Sequence, residues 1–421
     1  MLTVNKKQLC EDEHIAAGFR LCEIIRDYGY DAYLVGGCVR DILFNKHVHD
    51  VDVATNMPMN ELNNKFYCQS NNGEKHGTIL VNIVGDWIET TQFRMDGNYS
   101  DGRHPDEVKF SQSFEEDTKR RDFTINAIGI DADGKIVDYQ GGQKDLEDNL
   151  IRAVGNPEER FNEDALRILR AIRFAARFDF TIESKTREAI KKCKDKLTLI
   201  AKERIGDEVK KAASYGIYEF YRFIDMLVDF QLTDIIDPGH FVNWTKASRM
   251  LLRYLNECNL CNPMPLTDEE FVQQNLSFLL ASSASIEGAI QEFRYDNKLL
   301  DLCKFINKNQ ELGLLSSFNE TNLYKLFLAS KSKHFNIFLN YMYTFCLFEL
   351  KTDELKKLAY VDTKLAEHHD YVAGIIENTL CLTGRAYGVA LVDYEAWFCY
   401  KTFEGHEPTK MDIESHLLKW S

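Results

Sequence analysis

The 421-residue sequence predicts an α+β N-terminal head, a small mixed sheet with helices, followed by an all-α neck, body and tail. Two observations predict this fold class. Short apolar or alternating segments separated by Gly and Asp turns fill the first part of the chain, and such segments are typical of strands. After Gly141-Gly142 the apolar residues recur at helical spacing and strand-like segments become rare.

The strand predictions in the head rest on apolar runs and on alternation. The run Tyr33-Leu34-Val35 stops at two glycines, as a buried strand does before a turn. Further segments with strand character are 51–53, 79–84, 87–93 and 107–110. Several strands with a few helices between them indicate an α+β unit.

The helical prediction begins at Pro157, a residue that suits the first turn of a helix. Apolar residues follow three or four positions apart, at Leu166, Leu169, Ile172 and Ala176. Only seven prolines occur in the chain, so few breaks in the helices are expected. The predicted segments are a head at 1–148, a neck at 149–215, a body at 216–310 and a tail at 311–421.

The composition is ordinary for a globular protein, with 44% hydrophobic and 28% charged residues. The formal net charge of −15 argues against a nucleic-acid partner only on average, because binding depends on local patches. Residues 185–211 contain ten Lys or Arg and five acids. This local excess indicates either an RNA-binding surface or a solvated helix face.

The N-terminus does not resemble a signal peptide, and no apolar run is long enough to span a membrane, so we expect a cytoplasmic protein. Its eleven cysteines are then expected to be reduced and mostly structural. Cys258 and Cys261 form a C-x-x-C pair, which is either half of a zinc site or two buried thiols. No membrane contact is expected, and no obligate protein partner is evident.

The segment 33–55 contains the first sequence pattern that indicates a ligand-binding site. Gly36 and Gly37 end a strand where a helix is predicted to begin. Glycine lets the backbone approach a ligand, and the free N–H groups of a helix N-terminus suit a triphosphate. Arg40, one turn into this helix, is expected to add a fixed positive charge.

Asp50 and Asp52 lie at positions i and i+2 of an apolar segment, so on a strand they share a face. Two adjacent carboxylates repel each other, and a multivalent cation relieves that repulsion. Oxygen ligands favour Mg²⁺, and two such ions activate an attacking 3′-hydroxyl group and stabilise a leaving pyrophosphate. The alternative is one turn-capping Asp and one surface Asp.

Residues 33–55 resemble the active-site signature of class II tRNA nucleotidyltransferases and bacterial poly(A) polymerases, a branch of the DNA polymerase β superfamily. Further segments resemble the later motifs of this family in the same order. They are His76-Gly77-Thr78, the flexible loop Tyr99 to Arg103, the ribose-binding motif Arg120 to Ala127, the hinge Asp138 to Gly142, the base-selecting motif Glu163 to Arg167 and the bracing motif Lys202 to Ile205. Beyond about residue 215 no family motif is recognised.

The resemblance implies a role for each matching residue. Asp50 and Asp52 are expected to bind the catalytic metal ions. Glu89, on a predicted strand, is the candidate for a third catalytic carboxylate, and a surface strand residue is the alternative. The residues expected to contact the ribose and the phosphates are Arg121, Asp122 and Asn126.

Asp164 and Arg167 are predicted to share one face of a helix. Cytosine and adenine each offer an amine donor beside a ring-nitrogen acceptor, and uracil and guanine offer the reverse. Because a carboxylate accepts and a guanidinium donates, this pair would accept C and A and reject U and G. The alternative is a surface salt bridge. Arg170 and Arg173 are expected to hold the triphosphate or the RNA end.

The resemblance therefore implies a template-independent nucleotidyltransferase that adds C, C and A to the 3′ end of tRNA. Its substrates would be CTP and ATP, with two Mg²⁺ ions bound in the head. The neck would select the base, and the tail would bind tRNA. Three alternatives stay open: an enzyme that adds only A, a poly(A) polymerase, and an inactive RNA-binding protein on the same fold.

Overall fold

The computed structural model describes residues 3–46, 48, 50–69, 77–97, 108–257, 266–280, 283–309, 320–335, 337–338 and 352–420. The chain divides into two compact units, Met1–Gly239 and His240–Ser421. The boundaries expected at 148 and 215 fall inside the first unit and that at 310 inside the second, so the four-segment division stays a prediction. His76, the loop Tyr99 to Arg103 and the pair Cys258 and Cys261 lie outside the described residues.

A mixed sheet lies in the first unit and confirms the predicted α+β head. The described strands are β1 (Ala32–Val35), β2 (Asp52–Thr55), β3 (Cys68–Gln69), β4 (Thr78–Ile83), β5 (Asp86–Gln92), β6 (Arg94–Asp96), β7 (Val108–Phe110), β8 (Ile128–Asp131), β9 (Ile136–Asp138), β10 (Leu150–Ile151) and β11 (Thr181–Ile182). The order in the seven-stranded sheet is β3-β4-β5-β2-β1-β8-β9. Only its β2–β5 pair is parallel among the described residues.

The remainder of the first unit is mainly helical. Its helices are α1 (Lys6–Leu9), α2 (Glu13–Asp27), α3 (Gly37–Leu43), α4 (Met59–Lys65), α5 (Phe114–Lys119), α6 (Gly142–Glu147), α7 (Pro157–Glu163), α8 (Leu166–Phe178), α9 (Ser184–Cys193), α10 (Lys202–Ala213), α11 (Ile217–Asp229) and α12 (Thr233–Ile236), with 3₁₀ turns at Thr124–Asn126 and Lys194–Leu199. Pro157 does occupy the start of a helix, and the side chain of Asn156 caps it.

Apolar periodicity explains both kinds of element. Along β4 every second residue is buried, at Ile79, Val81 and Ile83, as a half-buried strand requires. Along α8 the apolar positions that gave the helical prediction, such as Leu169 and Ile172, are fully buried. The strands and the helix predicted from these patterns are therefore confirmed.

The second unit is helical wherever the structure assigns regular elements in the described residues. These are α13 (Trp244–Glu257), α14 (Asp268–Leu280), α15 (Ile286–Glu292), α16 (Asn297–Asn309), α17 (Glu320–Ser330), α18 (Thr352–Gly374), the π-helix Ile375–Thr379, α19 (Gly384–Phe403), α20 (Lys410–Leu417) and the 3₁₀ turn Leu418–Trp420. No described helix combines the length and the apolar character that crossing a membrane requires.

Candidate active site

The turn between β1 and α3 brings the backbone close to a carboxylate. Gly36 has φ 74° and ψ −132°, a conformation that favours glycine. A Cβ atom at this position would lie 3.5 Å from Oδ2 of Asp52 and 3.8 Å from Nη1 of Arg121. The helix begins at Gly37, so the expected order of strand, glycine turn and helix is present.

Asp50, Asp52 and Glu89 line one pocket of about 410 Å³, here named the carboxylate pocket. Asp52 begins β2, and its Cα is in register with that of Glu89 on the parallel strand β5. Strand geometry therefore places Glu89 beside the two aspartates, as expected, while its part in catalysis stays a prediction. The other lining residues are His14, Val51, Leu80, Asp86, Trp87 and Ile88.

Burial and the neighbouring carboxylates of this pocket make ionisation of Asp52 unfavourable. Burial, helped by Glu89 and Asp50 and opposed by Arg121, raises the pKa of Asp52 from 3.8 to about 6. Within the described residues no ion pair involves these three acids, and no three acids, histidines or cysteines converge on a ready-made metal site. Unpaired oxygen donors that repel one another fit an added Mg²⁺.

Arg121 lies beside the Gly36 turn and is held in place. Its Nη2 atom is 3.1 Å from Oδ2 of the buried Asp117, and its Nη1 donates to the backbone oxygen of Asn126 at 3.2 Å. A guanidinium fixed this close to Asp52 is suited to a phosphate group. Its predicted contact with the nucleotide is compatible with this position.

A second pocket of about 460 Å³, here named the arginine pocket, brings together most of the other predicted residues. Its lining residues are Arg120, Arg121, Asp122, Asp164, Leu166, Arg167, Arg170, Arg204, Asp207, Glu208 and Lys211. Arg121 is thus common to the Gly36 turn and to this pocket.

Asp122 is held by two side chains. Arg170 donates to its Oδ2 from Nε at 2.9 Å and from Nη2 at 2.6 Å, and Nδ2 of Asn126 donates to Oδ1 at 3.0 Å. Burial alone would raise the pKa of Asp122, but these partners outweigh it and lower the pKa to about 2.

Asn126 lies inside the protein, and its predicted contact with the ribose stays a prediction. Asn126 is 7% exposed, its amide nitrogen donates to Asp122, and its oxygen accepts from Arg40 at 2.8 Å. Both polar atoms are used inside the protein, so Asn126 positions Asp122 and Arg40.

Asp164 and Arg167 line the same pocket but do not share a helix, which corrects the sequence prediction. Asp164 is the C-cap of α7 and has an extended backbone, and its Oδ1 accepts from the backbone N–H of Leu166, the first residue of α8, at 3.0 Å. Its Oδ2 lies 2.7 Å from Nη2 of Arg204, and Nη1 of Arg167 lies 2.5 Å from Oε2 of Glu163. Base selection by this pair stays a prediction.

Arg40 is buried and paired inside the protein, and its predicted contact with the triphosphate stays a prediction. It is 3% exposed, and its Nε donates to Asp41 while its Nη1 donates to Asn126, both at 2.8 Å. The guanidinium also lies over the rings of Phe174 and Phe178. The physical reason is that this side of α3 packs against α8, so Arg40 stabilises that packing.

Arg173 is also turned inward, and its predicted contact with the triphosphate or the RNA end stays a prediction. It is 4% exposed, its Nε donates to Oε2 of Glu208 at 2.6 Å, and its Nη1 donates to the hydroxyl of Tyr215. Arg173 thus joins α8 to α10. Arg170, one turn earlier, keeps 32% of its side chain exposed and lines the arginine pocket.

Several pocket residues are absent from the sequence-predicted site. They are Arg120, Arg204, Asp207, Glu208 and Lys211. Two signals could have found some of them, because Arg204 belongs to the segment resembling the bracing motif and both Arg204 and Lys211 belong to the basic stretch 185–211. Neither signal identifies the partner of each cation, which depends on how α10 packs on α8.

Two family models match parts of the chain. Residues 32–152 match the Poly A polymerase head domain, and residues 179–242 match the probable RNA and SrmB-binding site of polymerase A. Both pockets draw residues from the first of these ranges, and the arginine pocket adds Arg204, Glu208 and their neighbours from the second.

The chain is also similar to curated proteins named CCA-adding enzyme. It is 48% identical to that of Lactobacillus johnsonii over 199 residues, which cover 47% of this chain and 50% of the relative. It is 45% identical to that of Ligilactobacillus salivarius over 312 residues, which cover 64% of this chain and 77% of the relative. The chain thus spans about half the length of the first relative and about three quarters of the second.

Among solved structures, the fold is similar to that of the Bacillus stearothermophilus CCA-adding enzyme in complex with CTP. The TM-score is 0.70 at 26% identity, and the match covers 97% of this chain and 98% of that one. The likeness therefore extends over nearly the whole chain.

Proposed function

The chain belongs to the CCA-adding enzyme family, and from that premise we propose that it adds C, C and A in turn to the 3′ end of tRNA, using CTP and ATP. The observation that carries the proposal is the placement of Asp52. Glu89 lies in register with it on one side, and the Gly36 turn with Arg121 lies on the other. This arrangement can hold a nucleoside triphosphate against a metal-binding edge.

Asp50 and Asp52 are proposed to hold two Mg²⁺ ions, with Glu89 as a further ligand. The support is chemical, since three oxygen donors without a cationic partner line one pocket in the described residues. Bound magnesium supplies activation of the attacking hydroxyl group and stabilisation of the leaving pyrophosphate. The protein contributes carboxylates whose mutual repulsion a cation relieves.

In the proposed transfer, the 3′ oxygen of the RNA forms a bond with the α-phosphorus of the nucleotide. The bond between that phosphorus and the pyrophosphate oxygen breaks, pyrophosphate leaves, and the hydroxyl group releases its proton to water. Arg121 is proposed to bind the phosphates, because it is fixed by Asp117 and lies beside the Gly36 turn. Asp122, oriented by Arg170 and Asn126, is proposed to accept a hydrogen bond from the ribose.

Base selection is proposed to depend on Asp164 and Arg167. The two side chains reach one pocket, and separate partners, Arg204 and Glu163, orient them. A carboxylate that accepts from an exocyclic amine and a guanidinium that donates to a ring nitrogen suit cytosine and adenine. With uracil or guanine both bonds would be lost, and buried polar groups left unpaired reject a substrate strongly.

The proposal also assigns a function to each segment of the chain and a location to the protein. Catalysis is assigned to residues 1–148, base selection to 149–215 and tRNA binding to 311–421, with 216–310 as the connecting body. A cytoplasmic location is proposed, because the described cysteines are free thiols, as expected in a reducing compartment.

The test incubates the full chain with Mg²⁺, a tRNA lacking its last three nucleotides, and each nucleoside triphosphate singly and together. The products are sized on a sequencing gel. We expect two additions with CTP alone and a third only when ATP is also present. The double variant Asp50→Ala with Asp52→Ala should give no product, whereas Asp133→Asn, at an exposed acid of the same unit, should match the wild type.

Other products would overturn the proposal in distinct ways. Extension only of a tRNA that already ends in CC would identify an A-adding enzyme. A long ladder of A on any RNA would identify a poly(A) polymerase. No product with any combination would leave an inactive RNA-binding protein on this fold.

A further inference from the structure

Two aromatic side chains lie exposed next to each other on the head. Trp87, on β5, is 42% exposed, and Tyr67, just before β3, is 74% exposed. Their ring centroids are 5.5 Å apart, and the ring planes are inclined by 46°. This pair is named the aromatic edge. Adjacent aromatic rings left open to water are typical of a binding surface.

The aromatic edge borders the carboxylate pocket. Trp87 lines that pocket together with Asp50, Asp52 and Glu89. It precedes Glu89 by two residues on the same strand, so both side chains lie on one face of the sheet, and Ile88 between them is buried on the other. A flat group stacked on Trp87 would therefore lie beside the metal-binding carboxylates.

The order of the strands separates this surface from the nucleotide-binding groups. β2, which carries Asp52, pairs with β1 on one side and with β5 on the other. β1 leads into the Gly36 turn, whereas β5 carries Glu89 and Trp87. In an in-line displacement the attacking and leaving oxygens lie on opposite sides of the phosphorus. A triphosphate on the Gly36 side leaves the β5 side for the attacking RNA end.

Building on the proposed function, we propose that Trp87, with Tyr67 beside it, stacks on the 3′-terminal base of the RNA whose hydroxyl group attacks the nucleotide. Stacking on an aromatic ring tolerates any base, because every base has a π face. That tolerance is needed here, since the terminal base changes after each addition. Hydrogen-bonded recognition of one base would block the next round.

The charges of the pocket favour a base at this place over the RNA backbone. Asp50, Asp52, Glu89 and Asp86 line it, and they repel a phosphate group. An uncharged ring meets no such repulsion. The aromatic edge therefore holds the terminal base, while the 3′-hydroxyl group of the same nucleotide reaches the carboxylates.

The test uses the full chain and a tRNA that lacks its last three nucleotides and carries 2-aminopurine as its 3′-terminal base. The emission of this base falls when it stacks on an aromatic ring. The variants are Trp87→Ala, Trp87→Phe and, as a matched control, Tyr218→Ala, which removes another exposed ring that lines neither pocket. Circular dichroism and thermal unfolding check that each variant folds.

We expect the wild type, Trp87→Phe and Tyr218→Ala to quench 2-aminopurine, and Trp87→Ala to lose most of the quenching. Loss of one stacked base corresponds to a rise of roughly 10- to 100-fold in the KM for this tRNA. The KM for CTP should stay close to that of the wild type, because the nucleotide binds on the other side of Asp52. A general loss of structure would raise both constants.

The outcomes separate this inference from the proposed function. If the wild type adds nucleotides, and Trp87→Ala shows the same quenching and the same KM for this tRNA, the stacking role is wrong and the proposed activity stands. If the wild type adds nothing but quenches 2-aminopurine through Trp87, the activity is wrong and the stacking surface stands. Equal loss of quenching in Tyr218→Ala would also overturn the assignment to Trp87.

Discussion

The carboxylates of the two pockets in the first unit differ in their ion pairing and in the direction of their pKa shifts. In the carboxylate pocket, Asp50, Asp52 and Glu89 have no cationic partner among the described residues. In the arginine pocket, Asp122 is paired with Arg170 and Asp164 with Arg204. Burial, together with Glu89 and Asp50 and against Arg121, raises the pKa of Asp52 to about 6, while Arg170 and Asn126 outweigh burial at Asp122 and lower its pKa to about 2.

This difference indicates which charges the protein supplies in each pocket and which charges a ligand must supply. In the carboxylate pocket no described cation forms an ion pair with Asp50, Asp52 or Glu89, and the proposed Mg²⁺ ions would supply that positive charge. The arginine pocket already contains its counter-charges, and they fix the side chains before any ligand arrives. A prearranged set of donors and acceptors discriminates between ligands, because its groups cannot turn to suit a wrong one.

The largest expected effect comes from removing a charge in the carboxylate pocket. Asp52→Asn should lower kcat by about 1000-fold or more, equivalent to about 4 kcal/mol, because metal-assisted transfer depends on this ligand. The same change should raise the melting temperature of the metal-free protein at pH 7.5, since it removes an unpaired, partly buried charge. Gel-based addition assays and calorimetry would measure the two effects.

The control for this prediction is Asp133→Asn, which changes an exposed acid of the same unit. It should leave both kcat and the melting temperature near their wild-type values. A metal-free Asp52→Asn protein that melts below the wild type would contradict the idea that Asp52 is destabilising without a cation.

The same substitution in the arginine pocket should act in the opposite direction. Asp122→Asn removes the partner of Arg170, and the free energy of unfolding should fall by about 2 to 3 kcal/mol, less than for a fully buried pair because Arg170 is partly exposed. Urea denaturation would measure the fall. If Asp122→Asn gains stability as Asp52→Asn does, the contrast between the two pockets is wrong.

Local patterns in the sequence were enough to predict the carboxylate pocket. Alternation placed Asp50 and Asp52 near one strand, and the family motif singled out the glycine turn. The resemblance implied a third carboxylate, strand alternation selected Glu89 for it, and the parallel pairing of β2 with β5 puts Glu89 in register with Asp52. Short-range periodicity is directly encoded, so these positions follow from it.

The arginine pocket was harder to predict, because its contacts join distant segments. Arg40 and Arg173 have the residue type and the helical spacing of phosphate ligands, yet the packing of α3 and α10 on α8 buries both. Asp164 was expected inside a helix, but it ends α7, and its side chain accepts from the first backbone N–H of α8. Sequence spacing gives the face of a helix but not the element that covers it.

The smallest expected effect is a pH dependence that only the carboxylate pocket should show. The pKa of Asp52 is raised in the folded protein to about 6, above its ordinary value of 3.8. A raised carboxylate pKa means that the folded state binds the proton more tightly. The stabilisation from this proton is therefore complete below the ordinary pKa and is lost as the pH rises through about 6.

In the metal-free protein, the gain in stability from Asp52→Asn should therefore shrink as the pH is lowered from 7.5 to 5. The expected change is about 1 kcal/mol, after allowing for solvent that reaches the partly exposed carboxylate. Asp122, with a pKa of about 2, stays ionised over this range and does not contribute. Added Mg²⁺ at pH 7.5 should also reduce the difference in stability between Asp52→Asn and the wild type, because a bound cation and a bound proton both relieve the repulsion at Asp52. If the difference in stability between Asp52→Asn and the wild type depends on neither pH nor Mg²⁺, the cation does not bind at this carboxylate.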